Sequence, residues 1–327
     1  MQYFLLVLGL VMIVKSADVL IDSTSKIARR YGVSSFIIGI TVVAFGTSAP
    51  ELAVGIMSGI SHSNQLTLGN IIGSSLSNIA LIVGISAIIM PLQVRDSVVK
   101  RELPILIGIQ ILLTVMLFDD RLLSRINGII LLIGFIGFML YIMKNSKDSI
   151  EIEIDAEGDI DTDADGNHVP LDAFKKVEKL GKLWIYSILS LAGLFIGGRL
   201  TESSSSNIAS NLGLSETLIG LTVVAIATTL PELITSIIAA KKKEPDIILG
   251  NCIGSNIFNI LLVLGCSSLI SPIRVDFSLW VDVAIMITLT VFIFVISWFR
   301  KSIKRKTGVF LLLAYIFYLV FKVITVL

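Results

Sequence analysis

Gly46-Thr47-Ser48-Ala49-Pro50-Glu51 sits inside one apolar run, and Ala227-Thr228-Thr229-Leu230-Pro231-Glu232 sits inside another, 181 positions later. Each stretch places a proline and then a carboxylate near the middle of a segment long enough to cross a bilayer. A proline within a helix removes one backbone hydrogen bond, which frees the carbonyl of Gly46 in the first copy and of Ala227 in the second. In hydrocarbon, such a break survives where it is buried in protein or lines a cavity. A carboxylate at mid-depth is costly and points to function. Two carboxylates with threonine hydroxyls and freed carbonyls beside them make a cage of hard oxygen atoms, which suits Ca2+ and similar cations.

The rest of the chain supports a membrane setting. Of its 327 residues, 54% are hydrophobic and only 16% charged, and mean hydropathy is +0.91. Ten spanning segments are expected: 2–28, 33–60, 66–90, 98–118, 122–143, 183–209, 214–240, 247–271, 278–299 and 306–326. Residues 1–14 carry no basic leader and no small-residue cleavage site follows, so they read as the start of the first helix rather than a signal peptide. Cys252 and Cys266 lie in one segment; as helix they stand about 21 Å apart, beyond disulfide reach, and read as packing residues. A net charge of +1 says nothing about partners. The lipid bilayer is the expected surrounding, no nucleic acid is expected, and the oligomeric state is left open.

The duplication extends well beyond the six residues. Aligning 32–95 with 213–276 at a constant offset of 181, without a gap, gives 27 identities in 64 positions. They include Thr41-Val42-Val43-Ala44 with Thr222-Val223-Val224-Ala225, Gly69-Asn70 with Gly250-Asn251, Gly73-Ser74 with Gly254-Ser255, and Asn78 with Asn259. The expected fold is all-α: ten transmembrane helices in two halves of five, 1–143 and 183–327, joined by the polar stretch 144–182. An odd number of helices per half makes the second copy enter from the opposite face, an inverted repeat typical of secondary transporters. Alternating the sides puts 20 of the 26 Lys and Arg residues on one face and Arg121, Arg125 and Arg274 on the other, with Lys15, Arg199 and Lys322 within helices. The crowded face is read as cytoplasmic in the cell membrane, with both termini outside.

Within the repeats, Thr47 and Glu51, Ser74 and Asn78, Thr228 and Glu232, and Ser255 and Asn259 recur at i and i+4, which stacks each pair on one helix face. The segment centres fall near residues 46, 78, 227 and 259, so all four motifs meet at one depth. For the serines, asparagines and glycines, ordinary helix packing is the alternative reading.

These motifs carry a resemblance. GTSAPE and ATTLPE, each followed by a GN-x-IGS-x-x-x-N stretch, resemble the α-repeats of the cation/Ca2+ antiporter superfamily, most of all its Na+/Ca2+ exchangers. The resemblance spans all ten helices. It implies Ca2+ held by Glu51 and Glu232 with Thr47, Ser48, Ser74 and Asn78 from the first repeat. Thr228, Thr229, Ser255 and Asn259 join from the second, and the carbonyls of Ala44 and Ala225 complete the set. The H+/Ca2+ branch has GNA-x-E at the glutamate, which is absent here. Many Na+ exchangers have aspartate where this chain has Asn259, a departure that argues against K+ co-transport and leaves stoichiometry open. The expected function is exchange of Ca2+ for Na+ without a cofactor. H+/Ca2+ exchange is the runner-up, and a membrane Ca2+ sensor a weaker alternative. An enzyme is disfavoured because no nucleophile or histidine constellation lies at mid-depth.

Lesser features read blandly. Lys15, Asp18 and Asp22 in the first segment, and Arg199 and Glu202 in the sixth, read as satisfied pairs near the interface. His62 reads as a solvated loop residue. Asp161-Thr162-Asp163-Ala164-Asp165-Gly166-Asn167, with Asp172 at the twelfth position, matches the D-x-D-x-D-G pattern of a Ca2+ loop. Lacking a preceding amphipathic helix and interrupted by Pro170, it reads as an unstructured acidic linker.

Overall fold

The computed structural model describes residues 1–60, 64–118, 121–145, 180–211, 225–274 and 279–326. His62 and the acidic loop 161–172 lie outside the described residues. Helices dominate. They are α1 (Gln2–Tyr31), α2 (Ser35–Thr47), α3 (Ala49–Ile60), α4 (64–89), α5 (Val98–Phe118) and α6 (Arg125–Asn145) from the first half. From the second come α7 (Leu180–Asn211), α8 (Ala225–Thr228), α9 (Leu230–Lys241), α10 (Pro245–Ile270), α11 (Leu279–Arg300) and α12 (Arg305–Val326). Among the described residues, seven helices are long and apolar enough to cross a membrane, or eight if α2 and α3 form one bent span. The 22 residues of α12 include Arg305, Lys306 and Lys322, which shortens its uninterrupted apolar run.

Sequence-drawn ends mostly fall within a few residues of the helices. The segment over 33–60 bends by 45° between α2 and α3, at the break expected before Pro50. One start differs for a physical reason. The segment expected to start at residue 122 starts at Arg125, because Leu122–Leu123 form a strand, β2, after Arg121 at φ 51°. The strand β2 pairs antiparallel with β3 (Ile273–Arg274), and β1 (Leu92–Gln93) pairs with β4 (Ser302–Ile303). Each pairing ties a residue pair of one half to a pair of the other, satisfying backbone groups where the chain leaves a helix.

Of the seven long apolar helices, two are inner and five outer. The apolar stretch of α10 is 94% buried and that of α4 78%, whereas those of α1, α5, α6, α7 and α11 are buried by about a third or less. The outer helices point Phe4, Phe118, Ile133, Ile188 and Phe299 outward. That is the expected face for lipid, where apolar side chains need no cover.

Small residues let these helices close on one another. Where α1 meets α7, a Cβ on Gly9 would stand 2.8 Å from the Gly197 carbonyl oxygen, and one on Gly197 2.9 Å from that of Gly9. With Ser23 hydrogen-bonded to Ser187 at 2.8 Å, the contacts run in opposite numerical order, so the two helices lie antiparallel. Related approaches recur in both halves, with partners 181 and 180 positions apart. Gly84 of α4 abuts Gly308 of α12, and Gly265 of α10 abuts Gly128 of α6.

The inner helices share a backbone irregularity. Ser77–Ile82 in α4 and Asn259–Val263 in α10 are π-helical, as is Gly39–Val43 in α2. A π turn inserts an extra residue and rotates the following face, and it occurs often at functional sites. Here the π turns begin at Ser77 and Asn259, beside the asparagines at mid-depth.

Candidate cation site

Both breaks have the same local form. Ser48 (φ −83°, ψ 3°) separates α2 from α3, and Thr229 (φ −86°, ψ −1°) separates α8 from α9. These angles lie in the sparsely populated bridge region, where active-site residues often sit. The proline two residues on has no N–H, and the helix resumes at Leu52, which donates to the Ser48 carbonyl at 3.1 Å. Leu233 donates to the Thr229 carbonyl at 3.0 Å in the same way. The breaks also stand side by side. A Cβ on Gly198 of α7 would lie 3.3 Å from Pro231 Cγ and 3.8 Å from Pro50 Cγ, so both prolines face one point on α7.

Glu51 and Glu232 each fall in the first turn after a break and are wholly buried. Unpaired N–H groups at a helix start favour an anion there. The two carboxyl groups are close enough for the charge of Glu51 to act on Glu232, and Thr47 and Ser48 stand beside Glu232. Neither oxygen of Glu232 makes a full hydrogen bond among the described residues.

The remaining polar residues converge through bonds that cross between the halves. Thr47 Oγ1 donates to Asn251 Oδ1 at 3.1 Å and lies 3.5 Å from Ser255 Oγ. At the equivalent place in the other half, Thr228 Oγ1 donates to Asn70 Oδ1 at 3.5 Å. Asn259 Nδ2 donates to Ser74 Oγ at 3.3 Å, and Asn78 Nδ2 donates to Asn256 Oδ1 at 3.0 Å. Thr47, Ser48, Ser74, Asn78, Thr228, Thr229, Ser255 and Asn259 are all buried. With their amide nitrogens committed to protein, Asn78 and Asn259 keep their Oδ1 atoms unpartnered among the described residues.

So the arrangement gathers acceptor oxygens without donors to match. Buried acceptors are normally satisfied, and a surplus of them suits a cation. Among the described residues no three His, Cys, Asp or Glu side chains gather in a form that could hold a metal. A cation here therefore meets two carboxylates and neutral oxygens, which is hard-ion chemistry. The Ala44 carbonyl accepts from Ser48 N at 3.0 Å, and Thr47 Oγ1, 3.3 Å away, can give its one hydrogen either to it or to Asn251 Oδ1. Ala225 opens α8.

Sequence reading did not assign Asn70, Asn251 and Asn256 to the site. The first two belong to the repeated Gly-Asn pair and hold the motif threonines across the interface. Asn256 has no such signal, because its counterpart in the other half is Ser75.

At the rim, Asp18 and Asp22 are satisfied, but the partner is Lys242 after α9 rather than Lys15. Lys242 Nζ lies 2.7 Å from Asp18 and 2.5 Å from Asp22. Partial burial works against the Lys242 charge, but the hydrogen bonds to Asp18 and Asp22 outweigh it and raise its pKa above the usual lysine value. Arg95 pairs with Asp246 at 2.6 Å and Lys301 with Asp96 at 2.6 Å, near the β1–β4 pairing.

The chain is similar to known proteins along nearly its whole length. The family model described as "Sodium/calcium exchanger protein" matches residues 1–144 and 182–324. The inner membrane protein YrbG of Escherichia coli is 34% identical, over 94% of this chain and 92% of that protein. The sodium/calcium exchanger MaX1 of Methanosarcina acetivorans is 32% identical, over 98% of this chain and 97% of its own. A solved structure of the sodium-calcium exchanger NCX_Mj, soaked with Na+ and Sr2+, superposes with a TM-score of 0.82 at 29% identity, covering 98% of this chain and 97% of that one. The chain belongs to the sodium/calcium exchanger family.

Proposed function

We propose that this multi-pass membrane protein is a secondary antiporter that exchanges Ca2+ for Na+ at one site between two inverted five-helix halves. The observation that carries the reading is the pair of buried carboxylates, Glu51 and Glu232, on adjoining helix breaks amid acceptor oxygens drawn from both halves. Two carboxylates neutralise one divalent ion, and the hydroxyl and carboxamide oxygens complete its shell. The same oxygens can hold monovalent ions in its place, which is what exchange at a shared site requires.

The ligands on this reading are Glu51, Thr47, Ser48, Ser74 and Asn78 with Glu232, Thr228, Thr229, Ser255 and Asn259. The carbonyls of Ala44 and Ala225 add two more. For Ala44 to serve, the Thr47 hydroxyl gives its hydrogen to Asn251 Oδ1 and keeps an oxygen lone pair for the ion. Family membership and likeness to MaX1 and NCX_Mj support Ca2+ and Na+ as the transported pair. The family consists of exchangers, not enzymes. The halves are 1–143 and 183–327 with ten crossings, and the join 144–182 faces the cytoplasm of a cell membrane with both termini outside, following the basic residues.

The test is 45Ca2+ uptake into proteoliposomes. An outward Na+ gradient should drive uptake, and collapsing the pH gradient with an ionophore should leave it intact. Uptake driven only by a pH gradient would instead make the protein an H+/Ca2+ antiporter.

A further inference from the structure

Behind the site, toward Val94 and Ile303 at the basic rim, α4, α5, α10 and α11 enclose a small cavity with room for about one water molecule. Its wall is mostly apolar, but Asn256 and Ser297 both line it. Both residues are wholly buried. Asn256 Nδ2 and Ser297 Oγ have no hydrogen-bond partner among the described residues. Two buried polar groups in that condition on one small cavity suit a bridging water, which accepts from the amide and bonds the hydroxyl.

Asn256 reaches the cation site through one bond, accepting Asn78 Nδ2 on its Oδ1 at 3.0 Å. A carboxamide has a donor end and an acceptor end, so this pair can be arranged in two ways. With Asn256 Nδ2 toward the cavity, Asn78 turns its oxygen away from Asn256, free for an ion. With both amides reversed, Asn78 would present an NH2 group and repel a cation. A cavity partner that accepts from Asn256 Nδ2 holds the first arrangement, because it satisfies the amide donor left over once Oδ1 accepts from Asn78. The duplication does not repeat the pair: at the offset of 181, Ser75 stands for Asn256 and Met116 for Ser297.

We propose that Asn256 is a positioning residue of the cation site. A water held between Asn256 Nδ2 and Ser297 Oγ fixes the Asn256 carboxamide, which in turn fixes Asn78 with its oxygen toward the ion. The proposal rests on the reading of Asn78 as a cation ligand.

The experiment measures 45Ca2+ affinity of the purified protein and the KM and maximal rate of uptake in proteoliposomes. The variants are Asn78→Ala, Asn256→Ala, Ser297→Ala and the two double variants with Asn78→Ala. Asn256→Ala should weaken Ca2+ binding by roughly 5- to 10-fold, the loss of one buried hydrogen bond. Ser297→Ala should weaken it by about 2- to 5-fold although Ser297 lies on α11, outside the site. Both should act mainly on KM, and both effects should vanish in the Asn78→Ala background. Losses that add in the double variants, or native affinity in Ser297→Ala, would overturn the proposal. Should Asn256→Ala fail to fold, Ser297→Ala and its pairing with Asn78→Ala decide the matter. Unchanged affinity in Asn78→Ala would remove the ligand reading on which the proposal stands, an outcome separate from additivity.

Discussion

At the scale of single residues, Glu51 and Glu232 dominate the chemistry because each places a negative charge where water is excluded. Replacing either by glutamine keeps the shape and removes the charge, leaving a divalent ion half-neutralised in a low-dielectric site. Glu51→Gln and Glu232→Gln are each expected to abolish 45Ca2+ transport while the protein still elutes as one symmetric peak in detergent. Near-native transport in either variant would remove that residue from the site. Asn259 tests the other end of the ligand scale. Its Nδ2 is committed to Ser74 and its Oδ1 is the available atom, so Asn259→Asp adds a charge without moving an oxygen. The expected result is altered Na+ affinity or K+ sensitivity with Ca2+ transport at least partly retained. An ion-dependence curve identical to the native one would mean that Asn259 does not reach the ion.

At the scale of elements, the antiparallel contact of α1 with α7 and the break pairs make different demands. The helix contact depends on Gly9 and Gly197, whose backbones touch where no side chain fits. Gly9→Leu should overpack this contact and destabilise the protein by about 1–3 kcal/mol, read as a lower melting temperature in detergent. An unchanged melting point would mean that α1 and α7 separate freely. The Lys242 bridge to Asp18 and Asp22 is a weaker tie. Its aspartates are more than half exposed, and solvent screens such pairs to about 1 kcal/mol or less. A double-mutant cycle of Lys242→Met with Asp22→Asn should give coupling within that limit at low salt and almost none at 1 M salt. The raised Lys242 pKa extends its charged form further into the alkaline range. The tie is fully present below the unfolded lysine value and is lost only as pH rises through the higher folded value.

For the whole molecule, the proposed site explains why an exchanger need not leak. Without a cation, two ionised carboxylates would have to cross the occluded state together. At roughly 2.5–3.5 kcal/mol each, they raise that barrier by about 5–7 kcal/mol, slowing the empty carrier by a factor on the order of 10⁴ to 10⁵. Ca2+ or Na+ offsets the charge, so loaded forms alternate and empty ones stall. Liposomes loaded with 45Ca2+ should release it into medium containing Na+ or Ca2+ and retain it in choline medium at neutral pH. Rapid release into choline, beyond that of protein-free liposomes, would show uncoupled return and defeat the charge-cost account.

The sequence by itself determined the membrane setting, because apolar runs of bilayer length leave the backbone few other places to be satisfied. It also determined where the helices break, since Pro50 and Pro231 remove a hydrogen bond wherever the chain goes, and it marked Glu51 and Glu232 through their repetition and cost. Spacing along a helix stacks Ser74 on Asn78 or Ser255 on Asn259, but it cannot say which partner stands opposite. Only the tertiary structure decided that Thr47 meets Asn251, that Asp22 meets Lys242 rather than Lys15, and that Asn256 backs Asn78 from a cavity. Those pairings join residues more than 150 positions apart, and no local rule of period or capping reaches so far. The short strands are likewise tertiary products. Each short strand pairs with a strand of the other half about 150 to 210 positions away, a partner its own two residues do not encode.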